Sequence, residues 1–369
     1  MKHQYRMYGL LGSHFAAKLR GYINYKGLDY EEKNTSAYDL LVRLPKAIGA
    51  TAMPALECRT GEWLADTPLI IEELEKRHPE RTIAVDTPIQ FMAAQLLENW
   101  FDDSWIQVSV HTRWSYPENW DELLEREWGK ALLPRAPGFF ADWFAGRMVK
   151  RPLSASRHAL GVRPDVLELL ERWALGHLDT LDQHFAQNDY LFGGRPTIAD
   201  YACVAPMAPH LNRDPWPKRE WLDPRPDLQA WVERTHAGDP ARGELAPDDE
   251  IPDTLLPLFS AIFKEFSVYV DKTVEGLADL VARKSLGPGD SLPRALRDVS
   301  YPMLDGEYTR MPLTYTIWRM QRMQRMFQAL PADQQERVKQ WCADMGRADM
   351  FTMDLGPALK RDALSAALA

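Results

Sequence analysis

The sequence predicts an α/β domain followed by an all-α domain and a further helical extension. Three observations point to that order. Over roughly the first 80 residues short β-prone runs alternate with helix-like ones; from about residue 88 the apolar period becomes helical; and a Pro- and Asp-containing stretch near residue 248 precedes about 120 more residues of helical period. The implied domains are 1–80, 86–240 and 248–369.

Composition mainly excludes. At 369 residues the chain is long enough for two or three domains with substantial cores. A net charge of -9 and the lack of a dense Lys/Arg run argue against a nucleic-acid partner, whose binding needs clustered cations. No run approaches the roughly 18 apolar residues of a membrane span, so no membrane partner is expected. The start, Met1-Lys-His-Gln-Tyr5, has no signal-peptide character, and Cys58, Cys203 and Cys342 are too scattered for a disulfide framework or a zinc site. These features predict reduced thiols, no metal and a cytoplasmic location.

In chain order, residues 4–10 are aromatic and β-prone. After Gly12-Ser13, Phe15, Ala16, Leu19 and Ile23 share a helix face that Gly27 is placed to end. Leu28–Lys33, Met53–Cys58 and Glu62–Leu64 read as strands. Thr67 suits an N-cap and Pro68 a first helical position for a helix that stops before Pro79. Stripes follow at Ile89, Met92, Leu96, Trp100 and at Val166, Leu170, Trp173, His177, Leu181, with a Pro/Gly-rich break over 134–164. Leu228–Arg234 reads as the last helix of that domain, and Gly238-Asp-Pro240 with Pro247-Asp-Asp-Glu250 as a linker. In the extension, Leu255, Phe259, Ile262, Phe266, Val270, Val274, Leu277 and Val281 form a long amphipathic stripe. Leu286-Gly-Pro-Gly-Asp290 breaks it, Leu313–Leu330 makes a second helix, and Asp305-Gly306 among aromatics signals a hairpin or loop.

Five ordered motifs resemble a known family. Tyr8-Gly-Leu-Leu-Gly-Ser13-His-Phe-Ala-Ala-Lys18-Leu-Arg20 looks like the first strand and helix of glutathione transferases, and is most similar to serine-type, tau/zeta-like bacterial members. Ala52-Met53-Pro54-Ala-Leu56 resembles the family's cis-proline loop, and Asp66-Thr67-Pro68-Leu-Ile-Ile71 its glutamyl-binding segment. Tyr190-Leu-Phe-Gly-Gly-Arg-Pro-Thr197-Ile-Ala-Asp200 resembles its helix-capping signature, and Pro226–Arg234 its closing helix. The resemblance covers about residues 4–240 and implies a thioredoxin-like N-terminal domain, a helical second domain, glutathione as co-substrate and a homodimer.

It also implies roles. Ser13, by position an ordinary N-cap, would donate to the glutathione sulfur at a helix N-terminus and favour the thiolate. Tyr8 is the rival donor, one residue out of register and so turned to the other sheet face. Met53 and Pro54 would pair with the cysteinyl backbone, Thr67 with the γ-glutamyl carboxylate, Asp66 with its ammonium and Lys46 with the glycyl carboxylate. Tyr8, Phe15, Trp100, Trp105 and Trp114, with His111 and Tyr116, would wall a pocket for a small hydrophobic electrophile, although core packing is the commoner task of such aromatics. The expected activity is attack of bound glutathione thiolate on an apolar electrophile. The extension, which ordinary members lack, motivates the alternative of a non-catalytic binding or scaffold protein.

Overall fold

The computed structural model describes residues 1–363 and 365–369. The first domain runs β1 (Tyr5–Gly9), α1 (His14–Lys26), β2 (Tyr30–Asn34), α2 (Leu44–Ile48), β3 (Ala55–Cys58), β4 (Trp63–Ala65) and α3 (Thr67–Arg77). Its sheet has the order β2-β1-β3-β4, with β1 parallel to β2 and antiparallel to β3. Side-chain alternation sorts the two faces. Tyr5, Met7, Leu56 and Cys58 pack on Leu19, Tyr22 and Ile23 of α1 and on Ile70, Ile71 and Leu74 of α3. Tyr8 and Ala55 point the other way, onto Leu44 of α2.

Helix α1 begins on Ser13, whose Oγ accepts from the Ala16 N–H, and ends at Gly27 with φ 67°. At α3 the expected cap shifts by one residue. Asp66 precedes the helix with φ 80° and makes no side-chain bond to it, Thr67 is the first helical residue, and Pro68 follows. The Asp66 carboxylate is engaged elsewhere, as described below.

The second domain comprises α4 (Pro88–Ser104), α5 (Ile106–Trp114), α6 (Pro117–Asn119), α7 (Glu125–Leu132), α8 (Gly138–Ala145), α9 (Arg151–Ala159), α10 (Leu167–Phe185), α11 (Ile198–Pro206), α12 (Pro215–Pro217) and α13 (Pro226–Ala237). The stretch read as a break over 134–164 is therefore largely helical, with a π-helical turn (Gly146–Lys150) joining α8 to α9. Pro137 precedes α8 and Pro152 lies in the first turn of α9, where a missing N–H costs little. Ala145 and Val149 then pack at four-residue spacing against Trp120, Leu124, Trp128 and Leu132. Thr197 and Asp200 form the expected capping box on α11. Helix α13 ends at Gly238 (φ 82°), where a Cβ would lie 2.4 Å from backbone atoms of Asn24 and Tyr25; only glycine lets α13 approach α1 this closely.

The extension contains α14 (Leu256–Ala261), α15 (Ser267–Lys284), α16 (Thr314–Gln328) and α17 (Ala332–Asp344). It also holds two hairpins, β5 (Val299–Met303) with β6 (Gly306–Arg310), and β7 (Leu359–Asp362) with β8 (Ser365–Leu368). The first hairpin turns at Leu304-Asp305, one residue before the Asp-Gly pair, with Leu304 at φ 51° and Gly306 already paired to Met303. Leu258, Ile262, Leu277, Ile317 and Met323 share a single core with Leu96, Trp100, Leu170 and Trp173 of the second domain. The apparent linker is structural too: buried Asp249 accepts from the N–H groups of Ile89 (3.0 Å) and Gln90 (2.9 Å), capping α4 across 160 residues of sequence.

Candidate functional site

A cavity of about 160 Å³ lies where the three sequence segments meet. The first domain contributes Phe15 at the start of α1, Met53 and Pro54 beside β3, and Asp66, Thr67 and Pro68 at the start of α3. The Met53–Pro54 bond is cis. Asn99, Asp102, Asp103 and Ile106 close the cavity from α4 and α5, and Arg294, Leu313, Tyr315, Thr316, Arg319 and Arg361 close it from the extension.

Of the residues singled out in the sequence, Met53, Pro54, Asp66, Thr67 and Phe15 thus share one wall. Ser13 caps α1 two residues before Phe15 and is half-buried, but it is not itself among the residues lining the cavity. Its loop is held from the second domain: the Arg113 guanidinium donates to the Gly12 carbonyl (2.5 Å) and to Asp214 (2.6 Å). Burial pushes the neighbouring His14 imidazole down to about 4, so it is neutral near pH 7 and brings no charge to Ser13.

Other expectations are corrected. Lys46 stands exposed on α2, outside the cavity wall. Tyr8 lies under α2, donating to Glu57 (3.0 Å) and accepting from Arg43 (2.8 Å). Trp100 and Trp105 are core residues, stacked edgewise or tilted on Trp173 and His177. Trp114 packs with Trp120 and Trp128. His111 and Tyr116 meet at Glu171, 2.8 Å and 2.9 Å away. Each of these aromatics has apolar neighbours in its own domain, and that packing draws them away from the cavity.

What sequence reasoning missed is the extension's side of the site. The Tyr315 hydroxyl donates to one carboxylate oxygen of Asp66, and the Arg361 guanidinium lies 3.7 Å from the same oxygen. Burial raises the Asp66 pKa, and Tyr315, Arg319 and Arg361 oppose that rise. Behind Asp66 sits a buried tetrad. Lys18 Nζ reaches Glu98 (2.8 Å) and Asp102 (2.6 Å), and Arg319 binds the same two carboxylates. Burial pushes the Asp102 carboxyl up, but Lys18 and Arg319 outweigh it and hold it below its ordinary value. Asp102 Oδ1 is buried and has no hydrogen-bond partner in the protein. Asp103 is taken by Arg310 and Thr316. The signal for these residues was the charge on apolar faces: Lys18 in α1, Asp102-Asp103 in α4 and Arg319 in α16. Among the described residues no cluster of His, Cys, Asp or Glu side chains could hold a metal ion.

This arrangement, a helix N-terminus beside an edge backbone and a capped serine loop, suits a small peptide-like anion. Residues 7–82 match the family model described as glutathione S-transferase, N-terminal domain, and residues 164–234 match glutathione S-transferase, C-terminal domain. The chain carries, in order, the two domains that define a glutathione S-transferase family protein. Similar solved structures include a glutathione S-transferase from Methylobacterium radiotolerans in complex with glutathione sulfonate (20% identity, 66% of this chain and 98% of that one, TM-score 0.40). Another, from Rhodospirillum rubrum F11, is 20% identical over 68% of this chain and 96% of that one, with TM-score 0.40. A beta-etherase from Sphingobium sp. strain SYK-6 is 18% identical over 63% and 94%, with TM-score 0.41.

Proposed function

We propose that the cavity binds glutathione and that the protein is a glutathione transferase-type enzyme, joining the glutathione sulfur to an apolar electrophile. The observation that carries this reading is the meeting of Met53-Pro54, Asp66-Thr67 and Phe15 in one cavity beside the Ser13 cap. The N-terminus of α3 offers unpaired N–H groups and positive potential to the γ-glutamyl carboxylate, with the Thr67 hydroxyl beside them. Asp66 keeps its second oxygen for the α-ammonium. The Met53 backbone pairs with the cysteinyl amide as an added strand. Ser13 then donates to the sulfur, the thiol proton passes to solvent, and the thiolate attacks the electrophilic carbon, forming the C–S bond as the bond to the electrophile's leaving group breaks and that group departs with its electron pair.

The test is Ser13→Ala in a chromogenic conjugation assay. A hydrogen bond to a charged sulfur contributes about 1.5–3 kcal/mol, so the turnover should fall about 10–100-fold while glutathione affinity changes little. Unchanged turnover would remove Ser13 from the chemistry. The reading carries a cytoplasmic homodimer with it, measurable by sedimentation and fractionation.

One observation favours the second reading, a non-catalytic binding or scaffold protein: Asp66 already has Tyr315 and Arg361 as partners from the extension. Calorimetry showing no uptake of glutathione would select it.

A further inference from the structure

The helix pair α8–α9 is inside out. Its buried face carries the small residues Ala141, Ala145 and Val149, whereas its large apolar residues other than the half-buried Phe144 face solvent. Phe139 is 80% exposed, Trp143 59%, Met148 46%, Phe140 44% and Leu153 40%. These are five of the eleven large hydrophobic residues exposed among the described residues, gathered within fifteen positions. A folded chain that had only itself to satisfy would place them inward.

The same segment inverts the charge of the protein. From Lys130 to Arg157 stand six cations, Lys130, Arg135, Arg147, Lys150, Arg151 and Arg157, against one acid, Asp142, in a chain of net charge -9. Only Lys150 has a carboxylate nearby, Asp121 at 4.0 Å, among the described residues. At four-residue steps Phe139, Trp143, Arg147 and Arg151 are all exposed, so one outward stripe is aromatic at its start and basic at its end.

We propose that this face docks onto an anionic lipid bilayer, with Phe139, Trp143 and Met148 in the headgroup boundary and Arg147 and Arg151 on lipid phosphates. Aromatic and apolar side chains beside unpaired cations on a helix surface are the features of a helix lying in the plane of a membrane. No helix among the described residues is long and apolar enough to cross one; the expectation of no membrane partner concerned spanning, and in-plane docking is a different mode. A second copy is the poorer occupant. A two-fold contact through this face would set a segment of six cations and one acid against an identical segment of the same net charge. None of these residues lines the cavity, so the inference stands apart from the chemistry proposed there.

The full chain should be co-sedimented with vesicles of phosphatidylcholine alone and of phosphatidylcholine containing about 30% phosphatidylglycerol. Binding should be at least about tenfold stronger to the anionic vesicles and should weaken as salt rises. The pair Phe139→Ser with Trp143→Ser, and separately Arg147→Glu with Arg151→Glu, should abolish it while thermal unfolding stays unchanged. Equal or absent sedimentation with both vesicles overturns the proposal, as does wild-type binding by the variants. If the variants instead convert a dimer to a monomer in the ultracentrifuge and vesicles are ignored, the face belongs to a second copy and the proposal fails.

Discussion

Replacing Tyr315 by Phe tests what the extension does at Asp66. The substitution removes one hydroxyl and leaves the ring, so the wall keeps its shape. In the structure that hydroxyl donates to one Asp66 oxygen, and Arg361 stands 3.7 Å from the same atom. Burial already raises the Asp66 pKa, and the Tyr315 bond is the strongest influence opposing the rise. A hydrogen bond to a charged group contributes about 1.5–3 kcal/mol, equivalent to about 1–2 units of pKa. In the proposed binding mode the glutathione ammonium needs Asp66 ionised, so the sign follows. Affinity in both proteins should improve as pH rises through the raised Asp66 value. In Tyr315→Phe that rise moves to higher pH, leaving the variant about 10–100-fold weaker on the acid side and nearly equal to wild type once both are ionised. Calorimetric titration of glutathione at a series of pH values above the ordinary carboxylate range follows that rise. An equal affinity ratio at every pH would refute the argument. Tighter binding by the variant would show that Tyr315 occupies the ammonium position, which is the scaffold reading.

Three further substitutions probe how the site is held. Asp249→Ala removes a cap that α4 does not obtain from Thr87, whose hydroxyl donates to the Gln90 side chain and caps no backbone N–H; thermal unfolding should show a loss of about 1–2 kcal/mol, and no loss would deny the cap. Gly238→Ala places a Cβ 2.4 Å from the backbone of α1 at a positive φ, so a cost of about 2–4 kcal/mol is expected in denaturant titration. Arg319→Met leaves Glu98 and Asp102 with Lys18 as their sole cation, which should cost about 3–5 kcal/mol. Because Asp102 is held below its ordinary value of 3.8, its contribution is present above that pH and lost as pH falls further. Melting followed across the acid range should therefore show a shallower acid loss in Arg319→Met than in wild type.

The parts of the fold that were legible depend on near neighbours in sequence. Ser13 and Gly27 bound α1 because caps act within one turn, and the Thr197–Asp200 box works for the same reason. Strand alternation turns Tyr8 to the sheet face packed on Leu44, whereas its assignment to the pocket wall comes from the resemblance. Failures came where a distant partner decided. Thr67 has good capping chemistry, yet Asp66 takes the position before α3 while its side chain is bonded to Tyr315, 249 residues on. The family resemblance makes Trp100 and Trp105 pocket walls, but resemblance cannot say which apolar surface each ring meets, and both pack in the core. The 134–164 segment reads as a break from its prolines and glycines, although Pro137 stands just before α8 and Pro164 opens the turn before α10, where a proline is not disruptive.

The charged tetrad joins these points into an account of the extension. Lys18 belongs to the thioredoxin-like domain, Glu98 and Asp102 to the helical domain and Arg319 to the extension, so four side chains bind three segments at one buried place. Two cations face two carboxylates, and none can be withdrawn without stranding a charge out of water. If α16 were lost, Asp102 and Glu98 would keep one cation, Asp66 would lose its hydroxyl donor, and a wall of the cavity would open together with them. Stability and ligand recognition are therefore coupled in this protein. A truncation that removes the extension should damage glutathione binding through Asp66 even where the remaining two domains stay folded, and the Tyr315→Phe pH profile separates that electrostatic share from the general loss of packing.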